Sequence, residues 1–358
     1  MRHHILLIPL RTLVIVFLSC ANTSLYAAEN LVLPLWENGA PGFESRRNEA
    51  EVVTKGSVTN VHNPSLTVFL PEKEKANGVG IVIAPGGGLR KLGMRGGGEE
   101  PAQFLAEHGF TSFVLKYRLS RQPGQPYKFE EHVLADGQRA IRMVRHRAQE
   151  FHLDPKKIGM LGFSAGGEVV SITCYKPGEG NPDAADPIDR EFAKPNFQML
   201  VYPGPVGIPS KLPNDTPPAF MVIAADDAHT SVLLNLMHHF RELDVDYEAH
   251  IFTRGGRCLP VAVHSGKLRR DVVRHVLRQA GLDETDGESI DIKPGATAAA
   301  SAAEEAARLA ACEAAPATAP GEAEAGAASA AAAGAGATSR RRRRRHCRRR
   351  VGASRRRR

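Results

Sequence analysis

Short apolar runs alternate with amphipathic helical patterns through the middle of the chain, and this alternation restricts its fold more than any other feature. Helical spacing occurs from Pro101 to His108 and from Ala135 to Ala148. The apolar runs predict strands at Val79–Ile83, Phe110–Leu115, Lys157–Phe163, Gln198–Tyr202, Ala219–Ala224 and Tyr247–Phe252. Such alternation is typical of an α/β fold, a mostly parallel sheet with helices on both faces. We expect one domain of this kind at residues 29–285.

Residues 1–28 have the pattern of a cleaved export signal. A basic start at Arg2 precedes an apolar run from Ile5 to Cys20, and Ala27-Ala28 offers a cleavage site. The uninterrupted apolar part, Leu13 to Cys20, is far shorter than the ~20 residues that a membrane span needs. We therefore expect a secreted or periplasmic protein with no membrane association beyond the export signal.

Residues 286–358 are rich first in alanine and then in arginine. Almost no large apolar side chains occur there, so this segment is predicted to be disordered. The net charge of +8 comes from the arginines of residues 340–358, because the rest of the chain is net negative. The basic balance therefore says nothing about the partners of the α/β domain.

A motif typical of a catalytic serine follows the strand at Lys157–Phe163. The sequence Gly162-Phe163-Ser164-Ala165-Gly166 lies between this strand and a helical pattern that starts near Glu168. In a nucleophile elbow the turn is so tight that only small residues fit beside the serine. A glycine- and serine-rich turn of no consequence is the alternative, but the strand–turn–helix context favours Ser164 as a nucleophile.

A second glycine motif, Gly86-Gly87-Gly88, follows the strand at Val79–Ile83. Acyl transfer needs two N–H donors aimed at the carbonyl oxygen as it becomes negative, and a side chain beside them would obstruct the substrate. We expect one donor at Ala165 and the other at Gly87 or Gly88. A triple glycine could also belong to a phosphate loop or a flexible turn, but a Walker loop is excluded because no Gly-Lys-Ser/Thr sequence follows.

The orienting acid is expected after a later strand. The run Ala219–Ala224 leads into Asp226-Asp227, and a buried carboxylate there would orient a histidine and stabilise its charged form. Asp226 is the first candidate because it emerges first, with Asp227 as a neighbouring loop acid. The alternative is that both are solvated loop acids.

No metal or cofactor is predicted. The cysteines have no paired spacing, and no cluster of histidine and cysteine with the spacing of a zinc site occurs.

Several motifs together resemble the bacterial acetyl-xylan/feruloyl esterase-like hydrolases, a group whose members are often labelled xylanase or prolyl-oligopeptidase-like. The resemblance implies an α/β-hydrolase fold, a Ser–Asp–His triad, no cofactor, and small-molecule or oligosaccharide esters of plant polysaccharides as substrates. It extends from about Leu33 to Gly256 and rests on Pro85-Gly86-Gly87-Gly88, Val114-Leu115-Lys116-Tyr117-Arg118-Leu119, Arg139-Ala140-Ile141-Arg142, the elbow around Ser164, and Pro217-Pro218-Ala219-Phe220 through Asp227. Tyr117 is interpreted as structural.

The sequence departs from this group where the catalytic histidine is due. The group has Gly-Gly-His-Gly and an aromatic residue, whereas Gly255-Gly256 is followed here by Arg257-Cys258-Leu259-Pro260. One interpretation is a change of reading frame near codon 256, which would also explain the alanine and arginine runs. The other is a genuine C-terminus, in which His264 is the base and Leu268 to Ala280 forms a last packed helix.

Two further functions compete with an esterase. A dipeptidyl-peptidase-like serine peptidase would use the same fold, but the chain has no room for the propeller domain of such peptidases. A non-catalytic hydrolase-fold protein, impaired by loss of the triad histidine, could bind nucleic acid through its arginine tail. The export signal argues against a nucleic-acid partner.

Overall fold

The computed structural model describes residues 30–256 and 266–282, and within these ranges the chain forms an eight-stranded sheet, a three-stranded sheet and flanking helices. The strands are β1 (Val32–Pro34), β2 (Val52–Thr54), β3 (Ser57–Thr59), β4 (Ser65–Phe69), β5 (Gly80–Ala84), β6 (Leu92–Gly93), β7 (Thr111–Lys116), β8 (Ile158–Phe163), β9 (Phe197–Val201), β10 (Ala219–Ala224) and β11 (Tyr247–Phe252). The helices are α1 (Glu100–Glu107), α2 (Leu134–His146), α3 (Ala165–Tyr175), α4 (Thr230–Glu242) and α5 (Gly266–Gln279).

The large sheet is mostly parallel, as the alternation predicts. Its strand order is β1-β4-β7-β5-β8-β9-β10-β11, and only the β1–β4 and β4–β7 pairs are antiparallel. Every residue of β5, β8, β9 and β10 is buried. Strands covered by helices on both faces have this continuous apolar character, which explains why short unbroken runs identified them. The expected α/β-hydrolase fold class is confirmed.

The order of strands reverses at β5. From β5 the chain crosses through α1 to β7 on one side, and then through α2 to β8 on the other side of β5. Because such crossovers are right-handed, α1 and α2 cover opposite faces of the sheet. The loops after β5 and β8 therefore diverge and leave a crevice at the carboxyl ends of these strands, where α/β proteins place their ligand sites.

The sequence patterns did not predict the strands at one edge of the large sheet or the separate small sheet. The short strands β1 and β4 extend the large sheet beyond β7, and β2, β3 and β6 pair into the separate three-stranded sheet. Helix α4 connects β10 to β11 and buries Leu233, Leu236 and Phe240. No helix within the described ranges is long and apolar enough to span a membrane.

The predicted last helix is present. Helix α5 covers most of the stretch from Leu268 to Ala280, and Val273, Val276 and Ala280 lie in the core. Residues 1–28 and 286–358 lie outside the described residues, so the export signal and the tail remain predictions.

Two buried histidines, His62 and His275, have lowered pKa values. His62 is buried beside Tyr127, whose hydroxyl oxygen lies 2.6 Å from His62 Nδ1. Burial lowers the pKa of His62, and the positive charge of Arg46 lowers it further. In α5, burial also lowers the pKa of His275, although the charge of Glu248 opposes this. Both rings are therefore harder to protonate in the folded protein than in the unfolded chain.

We expect the free energy of unfolding to fall as the pH drops below about 6.5. The unfolded chain binds protons at its histidines there, whereas the folded chain resists them, so each group costs at most about 1.4 kcal/mol per pH unit. Urea denaturation between pH 7.5 and 5 measures this slope. His275→Leu should make the slope shallower, because an apolar side chain beside the Phe220 ring does not titrate. An unchanged slope in His275→Leu would exclude His275 as a source of the acid sensitivity.

Candidate active site

Ser164 lies at a strained turn between β8 and α3. Its φ of 53° and ψ of −117° fall in a region that residues with a side chain rarely occupy, at a typical cost of about 1–3 kcal/mol. The turn is held because the Ser164 N–H donates to Val201 O at 3.0 Å, and Ser164 O accepts from the Gly167 N–H at 2.9 Å. The strand–turn–helix elbow that the motif predicts is therefore present.

The two glycines of the motif allow the backbone to approach other backbone atoms. A Cβ on Gly162 would lie 2.3 Å from Gly166 O, and a Cβ on Gly166 would lie 2.0 Å from Ala84 O. Both distances are too short for any side chain. The elbow is thus packed directly against the end of β5.

This packing brings the triple-glycine loop to the serine. In the parallel pair of β5 and β8, Ala84 is opposite Gly162, so the loop after Ala84 runs beside Ser164. A Cβ on Gly86 would lie 3.2 Å from Ser164 Cβ and 2.7 Å from Phe163 O. Only glycine fits at this position.

The loop leaves the N–H groups of Gly87 and Gly88 available. Gly86 O accepts from the Gly93 N–H at 2.8 Å, and Gly87 O accepts from the Arg90 N–H at 3.2 Å. These bonds fix the loop through its carbonyl groups, while neither the Gly87 nor the Gly88 N–H donates to any residue in the described ranges. The Ala165 N–H is also unused inside α3, since the helix begins there. The structure therefore brings the three predicted oxyanion donors to the neighbourhood of Ser164.

Tyr117 fixes the start of this loop. Its buried hydroxyl donates to Pro85 O at 2.6 Å, directly before the three glycines. Burial raises the pKa of Tyr117, and the negative charge of Glu168 raises it further. The sequence interpretation of Tyr117 as merely structural missed this contact, because nothing in a strand-end pattern indicates which carbonyl a tyrosine will bind.

An ion pair connects the same loop to the nucleophile helix. Glu168, one turn after Ser164, has a side chain only 4% exposed, and its carboxylate lies 3.1 Å from the guanidinium of Arg121, which is 40% exposed. The Arg121 N–H donates to Leu89 O at 2.9 Å, within the turn that follows the glycines. Arg121 therefore binds both sides of the crevice. A glutamate just after a nucleophile motif is the one sequence signal that could have indicated this pair.

The two acids after β10 have different environments. Asp226 is exposed, and its carboxylate accepts from the N–H groups of Gly256 at 2.8 Å and Gly255 at 3.4 Å. These donors hold the pKa of Asp226 below its usual value. Asp227 is buried, and its Oδ1 accepts from the His229 N–H at 2.8 Å. The sequence expectation of a buried acid thus describes Asp227, whereas Asp226, the first candidate by position, holds the chain after β11.

His264 lies outside the described residues, so its role as base remains a prediction. The described chain before it ends at Gly256, on the Asp226 carboxylate. His229 Nδ1 is 3.4 Å from Asp227 Oδ1, so this histidine also lies beside the candidate acid. Within residues 30–256 and 266–282 no group of three or more metal-binding side chains occurs.

The sheet, the crossovers around β5 and the strained serine elbow define an α/β-hydrolase. Residues 66–198 match the family model BD-FAE. The resemblance to acetyl-xylan/feruloyl esterase-like hydrolases is therefore confirmed.

Curated relatives are similar over part of their length. The chain is 32% identical over 139 residues to the acetylxylan esterase of Xylanibacter ruminicola, which covers 38% of this chain and 25% of that protein. It is 25% identical over 229 residues to endo-1,4-beta-xylanase B of Butyrivibrio fibrisolvens, which covers 56% of this chain and 35% of that protein. The chain therefore spans about a quarter to a third of the curated relatives that it matches.

Two solved structures are similar to the chain over most of their length. The acetyl ester-xyloside bifunctional hydrolase from Caldicellulosiruptor lactoaceticus is 25% identical with a TM-score of 0.57, covering 71% of this chain and 98% of that chain. A thermophilic esterase from the Planctomycetes species Thermogutta terrifontis is 17% identical with a TM-score of 0.53, covering 73% and 98%, and supports the fold alone.

Alanine at Gly87 and at Gly88 should have different effects on stability. A Cβ on Gly88 meets no atom within 4 Å, so Gly88→Ala is expected to lose only about 1–2 kcal/mol for its φ of +67°. A Cβ on Gly87 would lie 2.0 Å from Lys91 O, so Gly87→Ala must displace the turn and should lose more. Urea unfolding of both variants measures the difference. Equal losses would mean that the turn adapts to a side chain at either position.

Proposed function

We propose that this protein is a secreted or periplasmic serine hydrolase that cleaves acetyl- or feruloyl-type esters of plant polysaccharide fragments. The observation that carries the proposal is the position of Ser164, at a strained elbow beside the available N–H groups of Gly87, Gly88 and Ala165. A serine placed next to a set of N–H donors suits attack on a carbonyl carbon. The family of the chain and the names of its relatives support an ester as the substrate.

The reaction would proceed through an acyl-enzyme. Ser164 Oγ attacks the ester carbonyl carbon while a histidine accepts the hydroxyl proton. The carbonyl oxygen becomes negative in the crevice, where the N–H groups at Ala165 and at Gly87 or Gly88 stabilise it. The alcohol leaves with the proton from the histidine, and water then releases the acid by the same steps in reverse.

The acid of the triad is drawn from Asp226 and Asp227. Position along the chain makes Asp226 the first candidate, but its carboxylate is exposed and already binds the backbone of Gly255 and Gly256. Orientation of an imidazolium is more effective from a buried carboxylate, because water screens the interaction less. Burial thus favours Asp227, with Asp226 positioning the segment that leads to His264.

A serine peptidase related to the dipeptidyl peptidases is the alternative for the same site. It would use the same elbow and the same N–H groups, so geometry alone does not separate the two activities. The similarity to an acetylxylan esterase favours the ester. Side-by-side assays of short acyl esters and dipeptidyl amides distinguish them.

Ser164→Ala should abolish hydrolysis of p-nitrophenyl acetate, because the nucleophile is lost. A fluorophosphonate probe should label Ser164 alone, as peptide mapping by mass spectrometry can determine. Ser171→Ala, which removes another serine of α3, is the matched control and should retain labelling. Labelling of a different serine in the intact protein would rule out Ser164 as the nucleophile.

Replacement of each acid by its amide identifies the triad acid. If Asp227 orients the base, Asp227→Asn should lower kcat by about 10⁴-fold, the typical cost of a wrong imidazole tautomer, and Asp226→Asn should have a much smaller effect. The opposite order would restore Asp226 to this role.

Substitution of the two candidate histidines identifies the base. If His264 is the base, His264→Ala should abolish ester hydrolysis by the otherwise unmodified protein, while His229→Ala should retain it. Loss of turnover only in His229→Ala would transfer the role of base to His229.

A further inference from the structure

Two positive side chains follow the oxyanion glycines within the same turn. Arg90 and Lys91 are both exposed, while Leu89 before them and Leu92 after them are fully buried. The two leucines fix the turn to the core. The two cations are therefore on a well-supported segment at the edge of the crevice that contains Ser164.

The side chain of Lys91 lies beside Gly87 of the glycine loop. A Cβ on Gly87 would lie 3.2 Å from Lys91 Cγ, so the aliphatic part of this lysine runs beside the Cα of Gly87. The Lys91 N–H also donates to Gly87 O at 3.3 Å, and that of Arg90 donates to the same oxygen at 3.2 Å. The backbones of Arg90 and Lys91 are thus hydrogen-bonded to Gly87, and in the proposed function the N–H of Gly87 faces the reacting ester.

Neither charge is neutralised by a residue in the described ranges. Arg90 and Lys91 form no ion pair and no side-chain hydrogen bond with residues 30–256 or 266–282. Other cations near the crevice do have acidic partners, since Arg121 pairs with Glu168 and Arg95 pairs with Glu100. The exposed carboxylate of Asp226 follows β10, and β10 lies three strands from β5 in the sheet, a separation of about 14 Å. Asp226 is therefore on a different part of the edge from the turn that follows β5.

We propose that Arg90 and Lys91 bind a carboxylate on the ester substrate, so that the protein selects acidic over neutral saccharide esters. The inference rests on the proposed function and specifies its substrate class. An acetyl or feruloyl group carries no charge once it is esterified, so the carboxylate belongs to the saccharide, as in a xylo-oligosaccharide with a uronic acid branch. Uncompensated cations at the mouth of a cleft concentrate such anions and orient them.

Binding of saccharides without an ester tests the proposal independently of turnover. The probes are a xylotriose that carries one glucuronic acid and the same xylotriose without it, titrated by ligand-observed NMR. At 20 mM ionic strength we expect the acidic probe to bind at least about fivefold more tightly than the neutral probe. This is the size of effect that two partly solvated positive charges near one carboxylate would produce. In 0.5 M NaCl the preference for the acidic probe should fall below about twofold, because salt then screens charge–charge interactions beyond a few ångströms.

Charge-matched variants locate the effect. Arg90→Gln with Lys91→Gln should abolish the preference, while Lys91→Arg should retain it because the positive charge stays. Lys73→Gln with Lys156→Gln is the control, since these exposed lysines precede β5 and β8 at the opposite edge of the sheet. It removes the same net charge and should leave the preference intact. Far-UV circular dichroism and thermal unfolding verify that each variant folds.

Equal binding of the two probes by the unmodified protein would overturn the proposal, as would a preference that survives in Arg90→Gln with Lys91→Gln. Assays of acetylated forms of both probes and of p-nitrophenyl acetate test the ester hydrolase separately. If the protein hydrolyses none of these esters but still prefers the acidic probe, the proposed function fails while the carboxylate site stands. If it hydrolyses the acidic and neutral esters with equal kcat/KM, the carboxylate site plays no part in selecting the substrate.

Discussion

Direct contact between backbones at the carboxyl ends of β5 and β8 is the constraint on which the site depends. A Cβ on Gly166 would lie 2.0 Å from Ala84 O, and a Cβ on Gly162 would lie 2.3 Å from Gly166 O. A side chain on Gly166 would separate α3 from β5, and one on Gly162 would separate α3 from β8. Ser164 and the loop of Gly86 would then move apart, and two segments about eighty residues apart in the sequence would no longer meet at one reacting atom.

Polar groups beneath the crevice then determine its electrostatics. A buried carboxylate at Glu168, one turn after Ser164, would by itself oppose the development of negative charge on the substrate, because buried charges interact strongly. The guanidinium of Arg121 at 3.1 Å offsets this charge and also binds the loop through Leu89 O. The hydroxyl of Tyr117 contributes no charge, since its raised pKa keeps it protonated. The charge of Glu168 beneath the N–H donors is therefore offset within the fold, and Arg90 and Lys91 add positive charge without an acidic partner among the described residues.

The parts of the fold that depend on periodicity were predictable from the sequence, and those that depend on tertiary contacts were not. The strands β5, β8 and β10 and the elbow at Ser164 follow from local patterns, because buried strands and tight turns restrict residue types strongly. The short edge strands β1 and β4 have few residues in which a pattern can appear. The choice between Asp226 and Asp227 depends on burial, which two adjacent aspartates do not reveal. Only the fold shows that Asp226 binds Gly255 and Gly256.

The described segments before and after residues 257–265 can be placed relative to the two edges of the large sheet. Since β11 is parallel to β10, the chain at Gly256 leaves the sheet at its carboxyl edge, the edge of Ser164. Helix α5 returns toward the amino edge, where His275 contacts Phe220 and Glu248 near the starts of β10 and β11, so Gly266 is toward the carboxyl edge. Val273, Val276 and Ala280 fit the core at helical spacing, which a wrong reading frame has no reason to produce. This packing favours a native reading frame at α5 over an out-of-frame translation, and His264 remains the candidate base of that interpretation.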